Sequence, residues 1–206
     1  MFCSHYDMLE KSLVKRGFIV HQAKDANEAK QLAFSLIKPN ESVGFGGSVT
    51  VQNDLDLYNE LEKRGNPVYS HWYAADRSKA QGEAGKADWY LASTNAILGD
   101  GRLINIDGTG NRVASMIIGP EKVMLFIGRN KFVDGGIDDA IERIKRETCP
   151  PNARRLKLDK LPCGITGECA DCQSEQRMCR VTSIIEYPTR AIKEFHLVLI
   201  DAELGR

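Results

Sequence analysis

Large aromatic side chains are scarce in this 206-residue chain, at 7%, and neither sign of charge is in excess: 28 Lys and Arg balance 28 Asp and Glu. Without a positive surplus, and with its basic residues scattered, the chain lacks the electrostatic footprint that nucleic acid or an anionic membrane demands. No stretch approaches the roughly 18 uninterrupted apolar residues of a membrane span. The first residues include Cys3, Ser4, His5 and Asp7 where a secretory leader needs an apolar run, so a cytoplasmic protein is expected. Histidine is sparse too. His5, His21, His71 and His196 stand in unrelated contexts, and no catalytic triad is visible. Asp100 and Glu83 are carboxylates expected near the ligand face, with no spacing that marks them as an acid–base pair. Apart from Cys3, cysteine is missing until Cys149; Cys163, Cys169, Cys172 and Cys179 then follow in one short stretch. In a reducing compartment such crowding points to metal or redox chemistry more than to structural disulfides.

What is present is enough for a core. With 42% hydrophobic residues, a chain of this length buries roughly 70% of its unfolded surface on folding. Tyr6, Leu9 and Leu13 recur at helical spacing before Gly17, and Phe18-Ile19-Val20 reads as a strand. Asp25 with Glu28 forms a capping-box signature ahead of the stripe Ala29, Leu32, Ala33, Leu36 and Ile37. The alternation continues through strands at Val43–Phe45, Pro67–Ser70 and Trp89–Leu91, with helices at Leu55–Leu61 and Ala74–Ala84 between them. Leu103–Ile106 and Val123–Ile127 are continuous apolar runs, expected to lie buried on both faces of one parallel sheet. A last helix, Ile137–Arg146, is expected to close at Pro150-Pro151. This order predicts an α/β fold with a largely parallel sheet flanked by helices. Residues 1–150 are expected to form that domain. Residues 151–206 are expected to be a cysteine-rich segment, too polar in 152–180 to fold alone, with C-terminal strands at Val181–Ile185 and Phe195–Ile200 packing on the same domain.

Three loops follow strands. Gly44-Phe45-Gly46-Gly47-Ser48-Val49-Thr50 has glycines that permit positive φ and close backbone approach, which suits a phosphate or carboxylate. It is not a P-loop, and the alternative is a tight turn in which Ser48 or Thr50 caps the next helix. Asp107-Gly108-Thr109-Gly110-Asn111-Arg112 supplies an acid and a guanidinium where ligands sit in open sheets, and reads equally as a hairpin turn. Arg129-Asn130-Lys131 repeats positive and polar groups at a strand end.

Cys163, Cys169, Cys172 and Cys179 supply four thiols with a Cys-x-x-Cys pair at their centre. They suit zinc or a [4Fe–4S] cluster without choosing between them, and Cys149 is a spare ligand. A reversible disulfide and uncoordinated thiols are the alternatives.

Together Val43–Thr50, Thr94-Asn95-Ala96-Ile97, Gly101–Arg112 and Ile127–Lys131 resemble the lactate-utilisation (LUD) domain family, the group that contains lactate utilization protein C, over residues 5 to 150. The resemblance implies a fold similar to the NagB/RpiA/CoA-transferase-like group, with a cleft at the strand ends. It also implies a link to the oxidation of lactate to pyruvate, in which relatives accompany iron–sulfur partner proteins. It suggests Gly44, Gly46, Gly47, Ser48, Asn95, Asp107, Asn111, Arg112, Asn130 and Lys131 as ligand-facing, and names no catalytic residue. The expected partners are a small anionic metabolite, an iron–sulfur redox protein and a second copy of the chain. The competing readings are a non-catalytic interaction subunit and a CoA-transferase-like or sugar-phosphate-isomerase-like enzyme.

Overall fold

The computed structural model describes residues 4–205; Cys3 and the side chain of His5 lie outside the described part. Helix α1 (Ser4–Lys15) ends at Gly17, whose φ of +84° is the left-handed conformation a helix stop uses. Strand β1 (Ile19–Ala23) leads to α2 (Ala26–Leu36), where the Asp25 carboxylate accepts from the Glu28 N–H at 2.9 Å. Glu28 reaches back to the N–H of Lys24 rather than that of Asp25. Then come β2 (Val43–Phe45), α3 (Leu57–Arg64), β3 (Val68–Ser70), α4 (Arg77–Ala84) and β4 (Trp89–Ala92). The short strands β5 (Ala96–Leu98) and β6 (Leu103–Asp107) precede α5 (Asn111–Ile117), β7 (Lys122–Gly128) and β8 (Phe132–Val133). The chain ends in α6 (Ile137–Arg143), α7 (Cys149–Arg155), α8 (Pro162–Thr166), β9 (Val181–Ile185) and β10 (Glu194–Ile200).

Six strands make one parallel sheet in the order β1-β10-β7-β4-β2-β3. In β7, Val123, Leu125 and Ile127 face a core under α1, while Met124 and Phe126 face a second core under α2 and α3. Side chains alternate across a strand, so one continuous apolar run serves two cores. The tail strand β10 sits between β1 and β7, in the interior of this sheet.

Two expectations fail. Leu103–Ile106 is not part of the parallel sheet: β6 runs antiparallel to β5 and to β9 in a second sheet ordered β8-β5-β6-β9. The connection from Gly99 to Arg102 is far too short for a crossover, so the chain must turn straight back. Nor do Pro150 and Pro151 end the last helix. A wide turn at Ile144–Thr148 carries α6 into α7, where the prolines occupy the first turn and their missing N–H groups cost nothing.

Candidate functional site

The parallel strands all point their C-terminal ends to one edge, and there β2, β4 and β7 hand over to Gly46, Ser93 and Arg129. A cavity of about 140 Å³ opens at that edge, lined by Gly47, Ser48 and Thr50 after β2, Ser93 and Asn95 after β4, and Asp107, Arg112 and Lys131. Cys149, Asn152, Met178 and Cys179 close its far side. The motif residues therefore separate. Gly47, Ser48, Asn95, Asp107, Arg112 and Lys131 line the cavity, whereas Gly44, Gly46, Asn111 and Asn130 do not.

The separation has structural causes. Gly44 is needed because a Cβ there would collide with the carbonyl of Ala84, and a Cβ on Gly46 would meet Ala92 and the Tyr90 hydroxyl at 3.1 Å. None of Gly44, Gly46 and Gly47 has a positive φ, so the loop uses glycine for close packing and not for left-handed backbone. Ser48 Oγ accepts from the Val51 N–H at 3.3 Å, so it does cap the turn that follows. Asn130 accepts from the Leu204 N–H at 3.1 Å and anchors the C-terminal residues. Arg129 is exposed and pairs with Asp201 at 3.5 Å. Asp100 pairs with Arg16 and Arg102 outside the cleft, and Glu83 does not line it.

Arg112, Lys131 and Arg155 are the cations in the cavity wall, and the two buried ones, Arg112 and Lys131, differ. Arg112 is 7% exposed, and its terminal nitrogens donate four bonds of 2.8–2.9 Å, to Ser93 O, Asn105 Oδ1, Asn95 Oδ1 and Ile106 O. Its Nε lies 3.7 Å from Asp107. Both terminal nitrogens of that guanidinium are committed to the protein. Lys131 is 3% exposed and donates to Thr50 Oγ1 at 2.8 Å and Ser93 Oγ at 2.6 Å. An ammonium has three hydrogens, so one is left for the cavity. Burial pushes the Lys131 amine down to about 7, the Arg112 and Arg143 charges add to that, and Asp54 opposes it. Arg143, absent from the motif reading, ties the walls together by donating to Asn95 O at 3.1 Å and Asn130 O at 2.6 Å. Ser93 and the buried Asn105 were also missed: neither carries charge, and their role arises only because the segment after β4 meets β6 of the second sheet on one side and Lys131 after β7 on the other. The histidine reading needs correction too, since His21 and His196 lie on neighbouring strands and share a 2.9 Å hydrogen bond.

The cysteines gather beside the cleft. Cys163, Cys169, Cys172 and Cys179 line one small cavity with Leu161, Ala170 and Met178, and Lys145 and Arg177 stand at its wall. Cys149 Sγ approaches Cys179 Sγ to 3.4 Å; that contact favours the Cys179 thiolate and pushes the Cys149 thiol up. Among the described residues no three His, Cys, Asp or Glu side chains converge on a single metal position. The donor set is nonetheless all thiol, the class that zinc and iron–sulfur clusters take. Of residues 154–180 only Leu161 is buried, so little packing resists a closer approach of these sulfurs.

A family model described as the LUD domain matches residues 6–200. The chain belongs to the LUD-domain family. The match runs past the motif stretch of residues 5–150 and through the cysteine segment to β10. This LUD protein superposes on the crystal structure of a DUF162 family protein from Deinococcus radiodurans with a TM-score of 0.56 and 10% identity, covering 95% of this chain and 96% of the other. At that identity the likeness shows the fold alone: helices flanking a mostly parallel sheet. No curated protein matches the chain. No helix among the described residues is long and apolar enough to cross a membrane.

Proposed function

We propose that this LUD protein binds a small carboxylate or phosphate metabolite in the cleft at the strand ends, and that it serves lactate- and pyruvate-type redox metabolism in the cytoplasm beside an iron–sulfur partner protein. The observation that carries the reading is Lys131, an enclosed amine held by two hydroxyls with its third hydrogen free for the cavity. Ser48 and Asn95 add polar groups around it. A cavity of about 140 Å³ is well above the roughly 10–15 Å³ needed to admit one water, and leaves room for a three-carbon hydroxy acid.

The charge state of Lys131 sets the pH dependence. An anion binds the ammonium and raises its pKa, so with the empty-site value at about 7 binding takes up a proton above that pH. Affinity is then level below pH 7 and falls by up to about tenfold per unit above it. Calorimetric titration with lactate, pyruvate and inorganic phosphate between pH 6 and 9 measures this. Lys131→Met should weaken binding by about 1.5–3 kcal/mol, the size of one charge-assisted contact. Equal affinities in wild type and variant, or an affinity flat across that range, would refute the reading.

A further inference from the structure

The cysteine segment has a physical problem that its own side chains do not solve. Residues 154–180 bury a single side chain, Leu161, yet the segment is held against the cleft. Arg180 N–H donates to Asp107 O at 3.0 Å, and Gly108 leaves room for the Met178 carbonyl, which a Cβ there would approach to 2.9 Å. Fixing the backbone of a residue costs about 1–2 kcal/mol, and burial of one leucine recovers only about 1.5–3. A further source of order is needed. The same segment delivers four thiols to one cavity, where the Asp171 carboxylate also stands, paired with the cations Lys145 at 4.0 Å and Arg177 at 2.7 Å.

We propose that Cys163, Cys169, Cys172 and Cys179 form a four-thiolate metal centre, built on zinc or on an iron–sulfur cluster, which orders the segment and shares the Cys179 side chain with the wall of the anion cleft. This goes beyond the anion-binding reading and stands without it. Each thiol releases its proton to solvent as its sulfur takes the metal, and Lys145 and Arg177, which also pair with Asp171, offset part of the thiolate charge. Cys149 stays outside the set. It touches Cys179 from the cleft side, between the two cavities, and does not line the thiol cavity.

The test uses the full chain, purified without oxygen and also reloaded with either zinc or ferrous iron plus sulfide. Retained zinc, iron and sulfide are then counted per chain after desalting. The expected result is about one zinc, or about four iron and four sulfide with broad visible absorption. The stoichiometry tells the two centres apart. Cys172→Ser and Cys169→Ser should each lower retained metal at least tenfold. Cys169 is exposed, so its loss should leave the melting transition of the metal-free protein in place. Cys149→Ser and Cys3→Ser should retain the metal. Absence of metal under both conditions, a Cys149–Cys179 disulfide found by mass spectrometry in its place, or unchanged metal in Cys172→Ser would overturn the assignment.

Discussion

Arg112 and Lys131 are both cations at strand ends, and their neighbours give them different work. Arg112 satisfies four acceptors on two segments, so its chief effect is to hold the cleft wall, whereas Lys131 keeps one hydrogen unspent. Removing a buried charged partner strands the groups it satisfied, here including the Asp107 carboxylate 3.7 Å away. Arg112→Met should therefore cost roughly 3–5 kcal/mol of stability, read from urea unfolding. Arg112→Lys should not restore it, because an ammonium lacks the planar fork that reaches four acceptors at once. A variant as stable as wild type would show that the guanidinium network does not hold the wall.

Among the elements, β10 carries the largest consequence. Phe195, Leu197, Val198, Leu199 and Ile200 are all buried there, between β1 and β7. At about 1.5–3 kcal/mol per buried side chain, these five match the 5–15 kcal/mol by which a domain of this kind is stable. Truncation after residue 193 should abolish the cooperative thermal transition in circular dichroism. A truncated chain that still melts cooperatively would mean that the sheet closes without its inner strand. The second sheet is thinner: β5 and β8 have three and two residues, and it places Asn95 and Asp107 at the cleft and Asn105 behind the wall, where it accepts from Arg112.

For the whole molecule, burial is uneven, and opening should follow it. The parallel sheet lies between two cores, while residues 157–180 have one buried side chain to hold them. Amide exchange in the reduced, metal-free protein should be fast across 157–180 and slow in β7 and β10, since regions with few buried contacts open at low free energy. Equal protection in both parts would contradict this picture.

The sequence by itself determined the helices with caps and stripes, the strands with continuous apolar runs and the α/β class, because these depend on spacing within one segment. Gly17, Asp25 and the run Val123–Ile127 act through their immediate neighbours, so their roles are legible locally. Tertiary structure alone decided which motif residues reach the cleft. Gly44 and Gly46 turned out to serve helix and strand packing, and Asn130 serves the C-terminal residues. Whether a cation is spent or free, as with Arg112 against Lys131, depends on acceptors far away in the chain. The placement of β10 inside the sheet, β6 outside it and the His21–His196 contact likewise follow from strand order, which pairs positions as distant as Ile19 and His196 and which local spacing does not encode.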